Sequence, residues 1–190
     1  DLSGEIVRTL SGALARSQRP LLITGLSSTR SRAAAELLKF VERQRLPFVE
    51  TMHAKGFLPE NHTHWAGVIG RARRSDVKRF TDQADLIIAV GYDPIEINYE
   101  DWARNIPIIH INTEAAEPGD GLKFLWNKSC DLDAAIEAIA GIEASANDWS
   151  AEEWQKHRSL LDRALRPDGA DFAAHQVLDV LRDKFPWDGI

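Results

Sequence analysis

Leu86-Ile87-Ile88-Ala89-Val90 is apolar at every position and stops at Gly91. An apolar run without alternation reads as a strand buried on both faces, the kind found inside a parallel sheet covered by helices. The loop behind it, Tyr92-Asp93-Pro94-Ile95-Glu96, carries a proline and two carboxylates. In open parallel sheets the ligand crevice lies at the carboxyl ends of the strands, which puts the Gly91 loop at that crevice. Gly91 is then expected to have a backbone geometry or a close neighbour that a Cβ would disturb. Asp93 and Glu96, as loop carboxylates, are expected to matter less to folding than to whatever the crevice touches.

Similar punctuation recurs along the chain. Strands are read at 21–25, 46–51, 67–70, 106–111 and 123–126, around the central run at 86–90. Between and around them, apolar residues at helical spacing mark helices at 3–17, 31–43 and 75–84, and another behind a capping Asp131. Strands separated by helical patterns are βαβ units, so the fold class is α/β. The expectation is a doubly wound, six-stranded, mostly parallel Rossmann-like sheet with helices on both faces, plus a C-terminal helical extension. Residues 1–18 form an N-terminal helix and linker, and 19–140 the central Rossmann-like domain. Residues 141–150 are small and polar, a linker, and 151–190 hold two amphipathic helices. The first of these opens on the capping box Ser150-Ala151-Glu152-Glu153. Docking of these helices on the main domain and on a neighbouring one are both open.

Composition removes several functions. Lys and Arg total 23 against 29 Asp and Glu, a net charge of −6, the wrong balance for a protein that tracks nucleic-acid phosphates. Arg71, Arg73 and Arg74 form the one basic cluster, read as a solvated patch. Cys130 is the only cysteine, which rules out an intrachain disulfide and a cysteine metal cage and suits a reducing, cytoplasmic location. No segment approaches the roughly 20 apolar residues of a membrane helix. The chain starts at Asp1 and stops at Ile190, which reads as a piece of a longer polypeptide.

Catalytic signals are scarce. Gly25-Leu26-Ser27-Ser28 sits at the first strand-to-helix turn, where backbone N–H groups can meet phosphate, but the G-x-G-x-x-G fingerprint is absent. His53, His62 and His64 lack the spacing of a zinc site and read as packing or exposed residues. His110, between isoleucines, reads as a hydrogen-bonded core histidine. No nucleophile–base–acid set stands out.

The order of these signals closely resembles the central domain of thiamine-diphosphate enzymes of the acetolactate synthase group. Arg19-Pro20-Leu21-Leu22-Ile23-Thr24-Gly25 is similar to the family's opening strand. Leu46-Pro47-Phe48-Val49-Glu50-Thr51, followed by Lys55-Gly56 and Pro59-Glu60-Asn61-His62, is similar to its second passage. Ala84-Asp85-Leu86 through Gly91 and Ile108-Ile109-His110-Ile111-Asn112 resemble its fourth and fifth strands. Gly91-Tyr92-Asp93-Pro94-Ile95-Glu96, with Trp102 downstream, most resembles the catabolic, flavin-independent type.

The resemblance implies a parent enzyme that works on a 2-keto acid such as pyruvate, as a carboligase or decarboxylase. Thiamine diphosphate and magnesium would be held by N- and C-terminal domains missing here, in a homo-oligomer, with residues 151–190 the helical lead-in to the missing third domain. The fragment would be scaffold, with no catalytic residue and no metal ligand of its own. Gly119-Asp120-Gly121 with Asn147 imitates the family's magnesium motif, but Glu117-Pro118 precedes it instead of a buried strand, so it reads as a surface turn. Where flavin-binding members carry a glycine-containing loop, this chain has Gly70-Arg71-Ala72-Arg73, which argues against FAD and leaves room for an ADP-like nucleotide gripped by arginine. The candidate cofactor-binding residues are Gly25, Ser27, Arg71, Gly91 and Asn112. The rival reading is a stand-alone nucleotide-binding, NAD- or ADP-type sensing module on the same fold.

Overall fold

The computed structural model describes residues 2–70, 74–97, 103, 105–117, 122–166, 169 and 172–186. Six strands pair in parallel throughout: β1 (Pro20–Thr24), β2 (Phe48–Thr51), β3 (Trp65–Ile69), β4 (Leu86–Val90), β5 (Pro107–Asn112) and β6 (Lys123–Ser129). Their order in the sheet is β3-β2-β1-β4-β5-β6. The chain therefore runs outward from β1 in one direction, returns, and runs outward from β4 in the other, a doubly wound sheet that reverses between β1 and β4. The central strands β1 and β4 are buried at every position, as their largely apolar runs require.

Two apolar cores lie on opposite faces of the sheet. On one face, α1 (Leu2–Leu14), α2 (Ala34–Gln44) and α4 (Leu132–Ala140) bring Leu10, Phe40 and Ile136 against Leu22, Phe48 and Ile88. On the other, α3 (Arg74–Thr81) and α5 (Ala151–Leu165) bring Phe80, Trp154 and Leu161 against Ile23, Val49 and Ile87. Local signals act where they were read: Asp131 accepts the Ala134 N–H at the start of α4, and Ser150 and Glu153 form the reciprocal capping box of α5. The last helix, α6 (Ala174–Lys184), buries no residue.

The stretch 141–150, small and polar in sequence, is strapped to the domain. The Gln44 side chain donates to the carbonyls of Ile142 and Glu143 and accepts from the Ser145 N–H. Trp149 is buried, stacks on Phe80 with centroids 5.0 Å apart, and donates its indole N–H to Pro20 at 2.7 Å. A buried Trp whose N–H finds a carbonyl is a stable anchor.

Candidate functional site

The sheet reverses between β1 and β4, so the loops leaving their carboxyl ends meet there. They meet closely. The Gly25 N–H donates to Val90 O at 3.0 Å and the Ser27 N–H to Gly91 O at 2.9 Å, while Gly91 donates to Ile111 O at 2.8 Å. Gly91 has φ +61°, and a Cβ there would lie 2.2 Å from the Ser28 nitrogen. A Cβ on Gly25 would lie 2.3 Å from the Tyr92 Cα. Both positions thus need glycine because two backbone segments of the same chain cross in contact.

Glu96 completes the closure. After β4 the chain turns at Asp93, whose carboxylate accepts the Ile95 N–H, into a 3-10 turn over Pro94–Ile97. That turn sends the Glu96 carboxylate back into the crevice, where its side chain is only 6% exposed. It accepts the Leu26 N–H at 3.0 and 3.1 Å, the Asp93 N–H at 3.0 Å and the Thr51 hydroxyl at 2.7 Å. His53 Nδ1 stands 3.5 Å away. One carboxylate therefore links the loops that follow β1 and β4 to the carboxyl end of β2. Several donors converging on a buried anion are what a bound phosphate would need, and here a side chain of the protein supplies the anion. Glu96, expected to matter less to folding than to whatever the crevice touches, is engaged here by the chain's own loops. The Asp-Pro turn three residues ahead of it was the available signal.

Asn112 ends β5 beside the same loop. Its amide donates to Tyr92 O at 3.2 Å and its carbonyl accepts the Thr113 N–H at 2.8 Å. His110 is buried as expected, with Nε2 2.6 Å from Tyr92 O and Nδ1 2.9 Å from Asn127 Oδ1; burial lowers its pKa. The structure thus brings Gly25, Ser27, Gly91 and Asn112 to one end of the sheet and engages each with the chain itself. Arg71, Arg73, Trp102 and Gly119-Asp120-Gly121 lie outside the described residues.

Asn147, the other half of the magnesium-like pattern, donates to Gln44 O at 2.7 Å and accepts the Trp149 N–H at 3.1 Å. Among the described residues, no three His, Cys, Asp or Glu side chains converge as a metal site. The described residues therefore offer no ligand set of their own for the diphosphate–metal group of a thiamine cofactor.

Away from the crevice, a second group of titratable residues gathers around β3 from its neighbouring elements. His64 lies 4.2 Å from the Trp154 ring centroid, and burial pushes its pKa down to about 4. His157 stacks on Phe80, hydrogen-bonds Ala66 O at 2.7 Å, and is also lowered by burial. Of the loop histidines read as packing or exposed, His64 packs here, and together with His157 it joins α5 to the sheet edge. Glu50 is wholly buried on β2; it accepts the Leu58 N–H at 3.2 Å, and burial raises its carboxyl to about 7. A separate cavity of about 180 Å³ lies where Leu2, Ile6, Trp126 and Cys130 meet.

Comparison with known proteins agrees with this architecture. Residues 7–139 match the family described as thiamine pyrophosphate enzyme, central domain. The chain belongs to that family. It is 32% identical over 114 residues to an acetolactate synthase of Bacillus subtilis, covering 57% of this chain and 20% of that protein. It is 27% identical over 149 residues to pyruvate decarboxylase isozyme 2 of Saccharomyces cerevisiae, covering 73% and 26%. It is 29% identical over 186 residues to a 3D-(3,5/4)-trihydroxycyclohexane-1,2-dione hydrolase of Geobacillus thermodenitrificans, covering 96% and 29%. A solved structure of a candidate thiamin diphosphate-dependent enzyme from Mycobacterium smegmatis shares the fold, with a TM-score of 0.53 at 15% identity over 78% of this chain and 29% of that one. This central domain spans a fifth to under a third of the length of these relatives.

Proposed function

We propose that the chain is the scaffolding central domain of a longer thiamine-diphosphate-dependent enzyme that works on a 2-keto acid, acetolactate synthase-like and using pyruvate. In this reading, thiamine diphosphate and magnesium are held by flanking domains of a cytoplasmic homo-oligomer, and the 190 residues contribute packing and position rather than a reacting group. Family membership and the similarity to acetolactate synthase support the class of reaction.

One observation carries the scaffolding role. The crevice where an open parallel sheet takes a nucleotide is filled by the Glu96 carboxylate and by the crossing of the Gly25 and Gly91 loops. A dinucleotide such as FAD needs close backbone approach at that place, and an ADP-like diphosphate needs the N–H groups that Glu96 already uses. We infer that Gly25, Ser27, Gly91 and Asn112 serve this internal closure, and that the central domain works without a flavin.

Two measurements test the reading. The purified chain, given pyruvate, thiamine diphosphate and magnesium, forms no acetolactate, and calorimetric titration with FAD or ADP shows no saturable heat. Cofactor-dependent turnover would overturn the scaffolding role, and stoichiometric nucleotide binding would restore the sensing-module reading.

A further inference from the structure

The closed crevice has an apolar rim. Leu26, Met52 and Ile95 are 42%, 59% and 73% exposed. Each stands in the 3-10 turn that leaves a different strand: Leu26–Arg30 after β1, Met52–Ala54 after β2 and Pro94–Ile97 after β4. These three turns are fastened to one another through Glu96, which takes the Leu26 N–H, the hydroxyl of Thr51 next to Met52, and the N–H of Asp93. Ile95 directly precedes the carboxylate that does the fastening. The arrangement thus hides the anion and presents large apolar side chains at the mouth, the opposite of what a phosphate-bearing ligand would select.

We propose that this rim is a docking surface for a flanking domain of the same longer polypeptide, an inference that rests on reading the chain as a central domain. The choice of occupant follows from area. Three side chains cannot bury the roughly 1,200–2,000 Å² of a free-standing stable interface, so a second, untethered copy is a poor occupant. A covalently linked domain is held at an effective concentration of order mM, at which a small apolar patch suffices. The aligned region is 20–29% of the length of matched relatives, which leaves room for such domains.

The test compares the 190-residue chain with the polypeptide encoded by the whole reading frame that contains it. Amide hydrogen exchange at Leu26–Arg30, Met52–Ala54 and Pro94–Ile97 slows at least tenfold in the longer polypeptide. The double substitution Met52→Asp and Ile95→Asp lowers the melting temperature of the longer polypeptide by several degrees and leaves that of the 190-residue chain within about 1 °C. Equal exchange in both proteins overturns the docking surface and leaves the functional reading standing. A 190-residue chain that sediments as a dimer, dissociated by the double substitution, overturns it in favour of a second copy. A reading frame with no further domain overturns both.

Discussion

The two helices that follow Trp149 have similar amphipathic sequences and opposite fates. α5 is locked to the sheet: Trp154 and Leu161 are 6% and 2% exposed, His157 bonds the carbonyl of Ala66 on β3, and Arg158 donates to the carbonyl of His62. α6 carries Val177, Leu178, Val180 and Leu181, all exposed. Its tie toward α5 is the bidentate Arg166–Asp179 pair at 2.6 and 2.9 Å, itself exposed. An apolar stripe says that a helix has a partner and nothing about where that partner is. α5 finds its partner in this chain because β3 is an outer strand whose aromatic and alanine positions accept Trp154 and His157.

The largest expected effect tests the docking of α5. Trp154→Ala removes a buried aromatic that packs on His64 and leaves a cavity between α5 and β3, at a cost of about 3–5 kcal/mol by denaturant titration. A loss below about 1 kcal/mol would mean that α5 is as loosely held as α6.

The pH profile is the next sharpest probe, because each limb has its own groups. His64 and His157 have folded pKa values below their ordinary one, so the stability they leave intact near neutrality falls as pH drops through about 6.5, the unfolded value. Undocking of α5 is therefore favoured by acid. Glu50 has the opposite sign. Its folded value is raised to about 7 from 4.5, so the stability it confers is full below 4.5 and lost as pH rises through about 7. Glu50→Gln keeps an acceptor for Leu58 without the charge, and should recover on the order of 2–3 kcal/mol at pH 9 relative to the parent. Melts from pH 5 to 9 that follow the same curve for both proteins would refute the buried, neutral carboxyl.

A smaller effect separates the capping of α5 from its packing. Glu153 closes the capping box on Ser150 and meets Arg19 at 2.7 Å, and that guanidinium lies 4.7 Å from the Trp149 ring. Glu153→Ala is expected to cost about 1 kcal/mol, since the cap is local and the ion pair is partly exposed. A cost near that of Trp154→Ala would show that electrostatics rather than burial holds the helix.

The sequence made the sheet legible because β4 is apolar at every position and β1 at all but its last, Thr24, a pattern that fits few places except the middle of a parallel sheet. Gly91 was legible for the same reason, as the stop at the end of such a strand. Glu96 was not, because a loop carboxylate has the same letter whether it is solvated or folded back; only the 3-10 turn set by Asp93-Pro94 decides its direction. Trp149 was hidden by its small, polar neighbours, and its burial depends on Phe80 and Pro20, which are 69 and 129 residues away. The difference between α5 and α6 was equally invisible, since a period of 3.6 reports a face and no distance.

The smallest expected effect is on α6. No residue of this helix is buried, so Leu181→Asp removes no packing from the domain and should shift its stability by no more than about 0.5 kcal/mol. Ending the chain after Arg166 also discards the Arg166–Asp179 pair, whose exposed geometry contributes little in water. Both changes should leave the cooperative unfolding of the domain as it was, while fluorescence of an apolar dye bound to the chain falls as the exposed stripe is lost or charged. If instead either change destabilised the domain by as much as Glu153→Ala, α6 would be resting on the sheet after all, and the contrast with α5 would collapse to one of degree.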